Sequence, residues 1–256
     1  MELASLTWPD LTTSSSTDKV AIVPLGSIEQ HGHHLPLITD TALAEAVARG
    51  VHENLRDETI LIPTLWCGHS THHLAFPGTI SLSQEVYKLV LSEVCHSLVK
   101  SGFRRIFLLN GHGGNDIPAR YAMREIKTRH TDVEGLKVVF ASYWNLAADE
   151  LRGIRESEIG GMGHACEMET SLMLHLHPQL VRMEKAERDG PTQKPPYRQY
   201  DMLSGSPVYM VEEFHELSRT GTVGHPDLAS AEKGQRFYQA IVESVTAFVR
   251  DFKSWT

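Results

Sequence analysis

Short apolar runs alternate with longer amphipathic segments along most of this chain, and that alternation restricts its fold more than any other feature. Residues 19–25 (KVAIVPL), 59–63 (TILIP), 105–110 (RIFLLN) and 136–143 (LKVVFASY) are rich in Val, Ile, Leu or Phe. They predict strands, and their near-continuous apolarity predicts strands covered on both faces. The helical period predicts helices over 41–55, 83–101, 115–129, 167–176 and 227 to about 252. Alternation of this kind specifies an α/β fold with a mainly parallel central sheet flanked by helices, here expected as a single domain over 1–256. The irregular stretch 188–207 holds four of the twelve prolines, and its composition predicts a long surface excursion or lid.

The charge balance narrows the partners. With 24 basic against 32 acidic residues the net charge is −8, which argues against a generic grip on nucleic acid or anionic lipid and favours a small-molecule substrate. Cys67, Cys95 and Cys166 are odd in number and form no CxxC pair, as expected of free thiols in a reducing compartment, the cytoplasm by default. No basic flank followed by an apolar stretch opens the sequence, and no segment approaches the ~20 apolar residues of a membrane span.

In open α/β sheets, ligands bind beyond the carboxyl ends of the strands, and the polar motifs of this chain follow its strands. In GSIEQHGHHLPLITDT (26–41) an extended chain puts Glu29 and His31 on one side. Asp40 is either a helix cap or a third ligand, and His33 and His34 are expected away from the centre. In LLNGHGGND (108–116) His112 sits in a glycine turn that suits either a metal or a phosphate, with Asn115 as a candidate cap. GHACEMETSLML (163–174) offers Glu167 and Glu169, of which one need be a ligand and the other a cap-box or dipole partner, and His164, a general acid or base or a surface histidine. His69, His72 and His73, before FPGT, could line the crevice on the substrate side. Glu29, His31, Asp40, His112 and one glutamate form an oxygen and nitrogen set without thiolate, suited to Zn²⁺, Mn²⁺ or Fe²⁺. Five ligands exceed one tetrahedral ion and suit two divalent ions per subunit sharing a carboxylate.

Taken together, the motifs resemble the creatininase (creatinine amidohydrolase) family, from about Val20 to Ala240, through GSIEQHGHHLPLITDT, FPGTISL, NGHGGN, HACEMETSLML and GTVGHPDLASAEKG (221–234). The resemblance implies a two-metal hydrolase of cyclic or linear amides, often a homo-oligomer and commonly a hexamer. By motif, Glu29 and His112 would hold one metal, His31 the other, and Asp40 would bridge them. The family's glutamate two residues after the turn histidine is Gly114 here, so Glu169, ahead of Glu167, would supply the second metal's carboxylate. His164 would protonate the leaving group, and His72, His73, Trp144 and Cys166 would surround the substrate. Gly163 before His164, no tryptophan between Trp144 and Trp255, and the residues at 166 and 72 depart from the family pattern and speak against creatinine. The expected substrate is a small cyclic amide, formamide or cyclic ketone. The alternatives are ring opening of an oxidised cyclitol and a non-catalytic metal-binding protein of the same fold. A phosphate-binding reading of GHGGN lacks the P-loop lysine.

Overall fold

The computed structural model describes residues 1–13, 18–191 and 197–255. Four strands, β1 (Val20–Leu25), β2 (Thr59–Leu61), β3 (Arg105–Asn110) and β4 (Lys137–Ser142), form an all-parallel sheet in the order β2-β1-β3-β4. Parallel neighbours need crossovers, and helices α2 (Thr39–Asn54), α3 (Gln84–Lys100) and α4 (Asp116–Arg129) supply them. The short α5 (Tyr143–Leu146) and α6 (Ala148–Ile154), then α7 (Glu167–Leu176) and α9 (Ala231–Ser254), complete the layers, and α1 (Trp8–Thr13) precedes the sheet. Every residue of β1 is buried. Its side chains alternate between two cores: Val20 and Ile22 face the layer of α2, α7 and α9, while Ala21, Val23 and Leu25 face α3 and α4. Truncating one of them, such as Ile22→Ala, costs about 2–5 kcal/mol through lost contacts and the cavity left behind.

The strands and long helices coincide with the sequence expectation to within a few residues, with three corrections at helix starts. First, α9 begins at Ala231, where the Ser230 side chain accepts the Lys233 N–H, and 226–228 form a separate 3₁₀ turn. Second, α2 begins at Thr39, and the Asp40 carboxylate caps nothing. Third, Asn115 takes the N-cap position of α4, but its side chain makes no capping bond. It bridges loops instead, its amide donating to the Gly26 carbonyl at 3.1 Å and its oxygen accepting the His69 N–H at 3.0 Å. Several features too short to show a period were not foreseen: α1, α5, α6, the four-residue α8 (Phe214–Leu217), and an antiparallel pair of β5 (Met162–His164) with β6 (Val223–Gly224).

The 188–207 stretch is more than a surface excursion. Its segment 192–196 lies outside the described residues, but Asp201 is buried and paired with Arg155 Nη2 at 2.8 Å. Met202 N–H donates to the Met162 carbonyl at 2.8 Å, which ties the stretch to β5. Cys67, Cys95 and Cys166 are unpaired. No helix among the described residues is long and apolar enough to cross a membrane.

Candidate metal centre

Each polar group of the centre is delivered by a strand end or a helix start. After β1 the chain stays extended through Ile28, which bridges Ile80, and places Glu29, Gln30 and His31 before the turn at Gly32. Asp40 projects from the first turn of α2. Gly111 follows β3 and must be glycine, because a Cβ there would lie 2.8 Å from the Ala44 methyl of α2; the close approach sets His112 beside Asp40. His164 ends β5, and Ala165 then takes the left-handed φ of 49° before α7 starts at Glu167. That conformation costs about 1 kcal/mol in a residue with a Cβ and turns the chain so that His164 and Glu169 reach the same cavity.

Two sets of three ligand atoms meet at Asp40. Glu29, Asp40 and His112 form one, and His31, Asp40 and Glu169 the other; within each set the atoms lie within 4.8 Å of one another, and all five residues are buried. His112 Nδ1 is 3.1 Å from both Glu29 Oε2 and Asp40 Oδ2. His31 Nε2 is 2.9 Å from Asp40 Oδ1 and 3.9 Å from Glu169 Oε1. A third set joins Glu29 and His31 to His164, whose Nδ1 lies 3.8 Å from Glu29 Oε1. Among the described residues, every ion-pair partner of the three carboxylates is an imidazole.

Burial and mutual charge set the protonation of this cluster. Burial opposes ionisation of Glu29 and Asp40, but the facing imidazoles, His112 and His73 for Glu29 and His31 for Asp40, outweigh it and hold both carboxyls well below their usual range. Burial likewise opposes charge on His31, yet Asp40 raises it to about 9, and His112 is raised by Glu29 and Asp40. Burial pushes Glu169 up to about 7. His164 is pushed well below its ordinary value, first by burial and then by His31, and is neutral at pH 7.

The donor set fits divalent cations on an observation independent of resemblance. Glu29 Oε1 and Asp40 Oδ2 are buried without a hydrogen-bond partner, a costly state for carboxylate oxygens unless a cation joins them. The imidazoles are oriented as metal ligands are, each far nitrogen donating to a main-chain carbonyl. His31 Nδ1 donates to Glu29 O at 3.2 Å, His112 Nε2 to His69 O at 3.0 Å, and His164 Nε2 to Gln30 O at 2.7 Å. A carbonyl only accepts, so these nitrogens carry the protons and the near nitrogens face the cluster.

The cavity above the cluster measures about 140 Å³ and is lined by Glu29, Asp40, His72, His73, Trp144, His164, Glu169 and Met202, with the glycines of the 111–114 turn. Glu167 and Cys166 lie elsewhere. Glu167 accepts the N–H groups of Glu156 and Ser157 at 2.9 Å and pairs with Lys233 at 2.8 Å, so the carboxylate of α7 that reaches the cluster is Glu169. Cys166 is fully buried as the N-cap of α7, its N–H donating to Glu169 Oε2 at 3.3 Å. His34 is buried against Thr170, and His33 is exposed. Sequence reading missed Gln30, Met202 and Phe214. The Phe214 ring stacks on His73 at a centroid distance of 3.8 Å, and no local pattern marks a contact between residues so far apart in the chain.

The chain matches the creatinine amidohydrolase family over residues 4–249. It is 29% identical to creatinine amidohydrolase of Pseudomonas putida, covering 97% of this chain and 96% of that one. It is 33% identical to the mycofactocin precursor peptide peptidase of Mycobacterium tuberculosis, with 94% and 88% covered, and 28% identical to the 3-dehydro-scyllo-inosose hydrolase of Thermotoga maritima, with 90% and 76% covered. A creatininase crystal structure superposes with a TM-score of 0.85 at 28% identity over 100% of this chain and 98% of that one. A manganese creatininase gives 0.84 at 28% identity, with 98% and 97% covered. A mutant creatininase of Zn–Zn type gives 0.83 at 28% identity, with the same coverage. The chain therefore belongs to the creatininase family. It is a hydrolase, and its buried carboxylate and imidazole groups form a metal-binding cluster.

Proposed function

We propose that this protein is a dinuclear metal-dependent hydrolase that attacks the carbonyl of a small cyclic amide, formamide or cyclic ketone. The observation that carries the reading is the sharing of Asp40 by two buried three-ligand sets, Glu29–Asp40–His112 and His31–Asp40–Glu169. Zinc and manganese, both named for structures of related creatininases, suit this donor set, as does Fe²⁺. Cations held there supply Lewis acidity, polarising a carbonyl and lowering the pKa of water from 15.7 toward about 7.

The chain's own groups do the rest. His164, neutral and anchored through Nε2 to the Gln30 carbonyl, offers Nδ1 to hold the proton of the attacking water and pass it to the departing nitrogen of an amide, or to the departing carbon when the carbon–carbon bond of a cyclic ketone breaks. Trp144 and Met202 wall the cavity and limit access of bulk water. The cavity of about 140 Å³ has the room of roughly five waters at ~30 Å³ each, which suits a compact ring or a formyl group.

Elemental analysis of purified protein tests the reading, together with turnover of lactams, formamides and cyclic ketones before and after chelation. Close to two metals per chain with chelator-sensitive hydrolysis is the expected outcome. One metal or none, with no turnover after reconstitution, would replace it with a non-catalytic metal-binding role.

A further inference from the structure

Gln30 lies between two proposed metal ligands and its amide faces away from both, toward His73. Two contacts fix which end of that amide is which. The Gly32 N–H, a donor only, lies 2.9 Å from Oε1, and the Gly221 carbonyl, an acceptor only, lies 3.1 Å from Nε2. Nε2 therefore carries the hydrogens, one donated to Gly221 and the other free for His73 Nδ1 at 2.9 Å. The fit is close, since a Cβ on Gly221, which has a φ of 87°, would overlap the Gln30 amide.

The consequence falls on His73. Its Nδ1 accepts from the amide, so its single proton sits on Nε2, which lies 3.2 Å from Glu29 Oε1 on the wall of the cavity. His31, His112 and His164 have the opposite arrangement, each giving its far N–H to a main-chain carbonyl. Gln30 takes part on both sides of this division: its carbonyl holds the His164 Nε2–H, and its side chain holds His73 the other way round. The 3.1 Å approach of Gln30 Nε2 to His164 Nε2 is then a contact between two donors.

We propose that Gln30 is a positioning residue that locks His73 with its N–H, rather than a bare nitrogen as in His31, His112 and His164, turned to the cavity, where it is available to a substrate oxygen. The role of that donor in turnover rests on the hydrolase reading above; the proton assignment does not.

The test is ¹⁵N–¹H spectroscopy of the histidines in the zinc-loaded protein, with His73 signals assigned from His73→Gln. Wild type should show a proton on His73 Nε2 and none on Nδ1. Gln30→Glu presents an acceptor where the amide donated, so His73 should acquire a proton on Nδ1 while His164 keeps its Nε2–H. Gln30→Met, which removes the donor without adding charge, should leave His73 a mixture of tautomers. In both variants kcat should fall roughly 10–100-fold, as for loss of a group that orients a metal-site side chain, with KM and metal content within about twofold. A His73 proton on Nδ1 in wild type, an unmoved proton in both variants, or an unchanged kcat would overturn the proposal. A wild type with no turnover at all would sink the hydrolase reading, and the spectra alone would then decide the assignment.

Discussion

Glu167 and Glu169 stand two residues apart in the first turn of one helix, both buried, and they end in opposite surroundings. Glu167 meets a permanent cation, Lys233, at 2.8 Å and two main-chain N–H groups at 2.9 Å. Asp201, in the same part of the molecule, is closed off in the same way by Arg155 and by the N–H groups of Gly160 and Leu203. Glu169 meets one N–H and an imidazole, and shares its cavity with two carboxylates that each keep one oxygen without a hydrogen-bond partner. A carboxylate closed by Lys or Arg serves the scaffold, because its lone pairs are used and no further cation is wanted. Carboxylates whose ion-pair partners are imidazoles, which give up their protons to a metal, form a site that can be filled.

The strongest way to break this comparison is to remove the group common to both ligand sets. Asp40→Ala should lose both metals and all turnover, read by elemental analysis and assay; retention of two metals would undo the bridging assignment. His164→Asn should keep the metals and slow the chemical step by roughly 10² to 10⁴, and single-turnover kinetics would show whether the proton transfer lies elsewhere. Glu169→Gln should bring metal content close to one per chain with the fold intact. Lys233→Met is its counterpart on the scaffold side: metal content should be unchanged, while unfolding in urea should show a loss of about 3 kcal/mol from an uncompensated buried carboxylate. A stable Lys233 variant, or one that lost metal, would erase the distinction between the two glutamates.

The sequence shows one side of this contrast better than the other. The parallel sheet is legible because β1 and β3 are continuous apolar runs, and Glu29, His31, Asp40 and His112 stand out because they lie within a turn of a strand end or helix start. The choice between Glu167 and Glu169 is hidden from local spacing: Lys233, 66 residues away, takes one and leaves the other. Asp40 has the composition of a cap, and only the approach of β3 to α2 through Gly111 turns it into a partner of His112. Gln30 escapes notice for a different reason. Alternation sets it opposite Glu29 and His31, and what it touches, His73 and Gly221, is brought to it by the 3₁₀ turn at 71–73 and the loop before β6.

The smallest effect is also the sharpest, because the two glutamates should respond to pH with opposite sign. In chelated protein, Glu169 has its folded pKa raised to about 7 by burial, against an ordinary value of 4.5. The folded state then binds more protons than the unfolded one between these values, so the stability from this group falls as pH rises from about 4.5 to 7. Glu167 is shifted the other way: burial opposes its charge, but Lys233, Ser157 and the N–H groups around it prevail, and its folded pKa is depressed. Its contribution is full above the unfolded value near 4.5 and is lost as pH falls through the folded one. Urea unfolding of the chelated protein from pH 4 to 8 should therefore show Glu169→Gln flattening the decline toward neutral pH, and Glu167→Gln removing part of the loss on the acid side. Restoring metal should abolish the first effect and leave the second. If both variants changed the same limb of the profile, the two carboxylates would be doing the same job, and the division of α7 into a scaffold face and a metal face would fail.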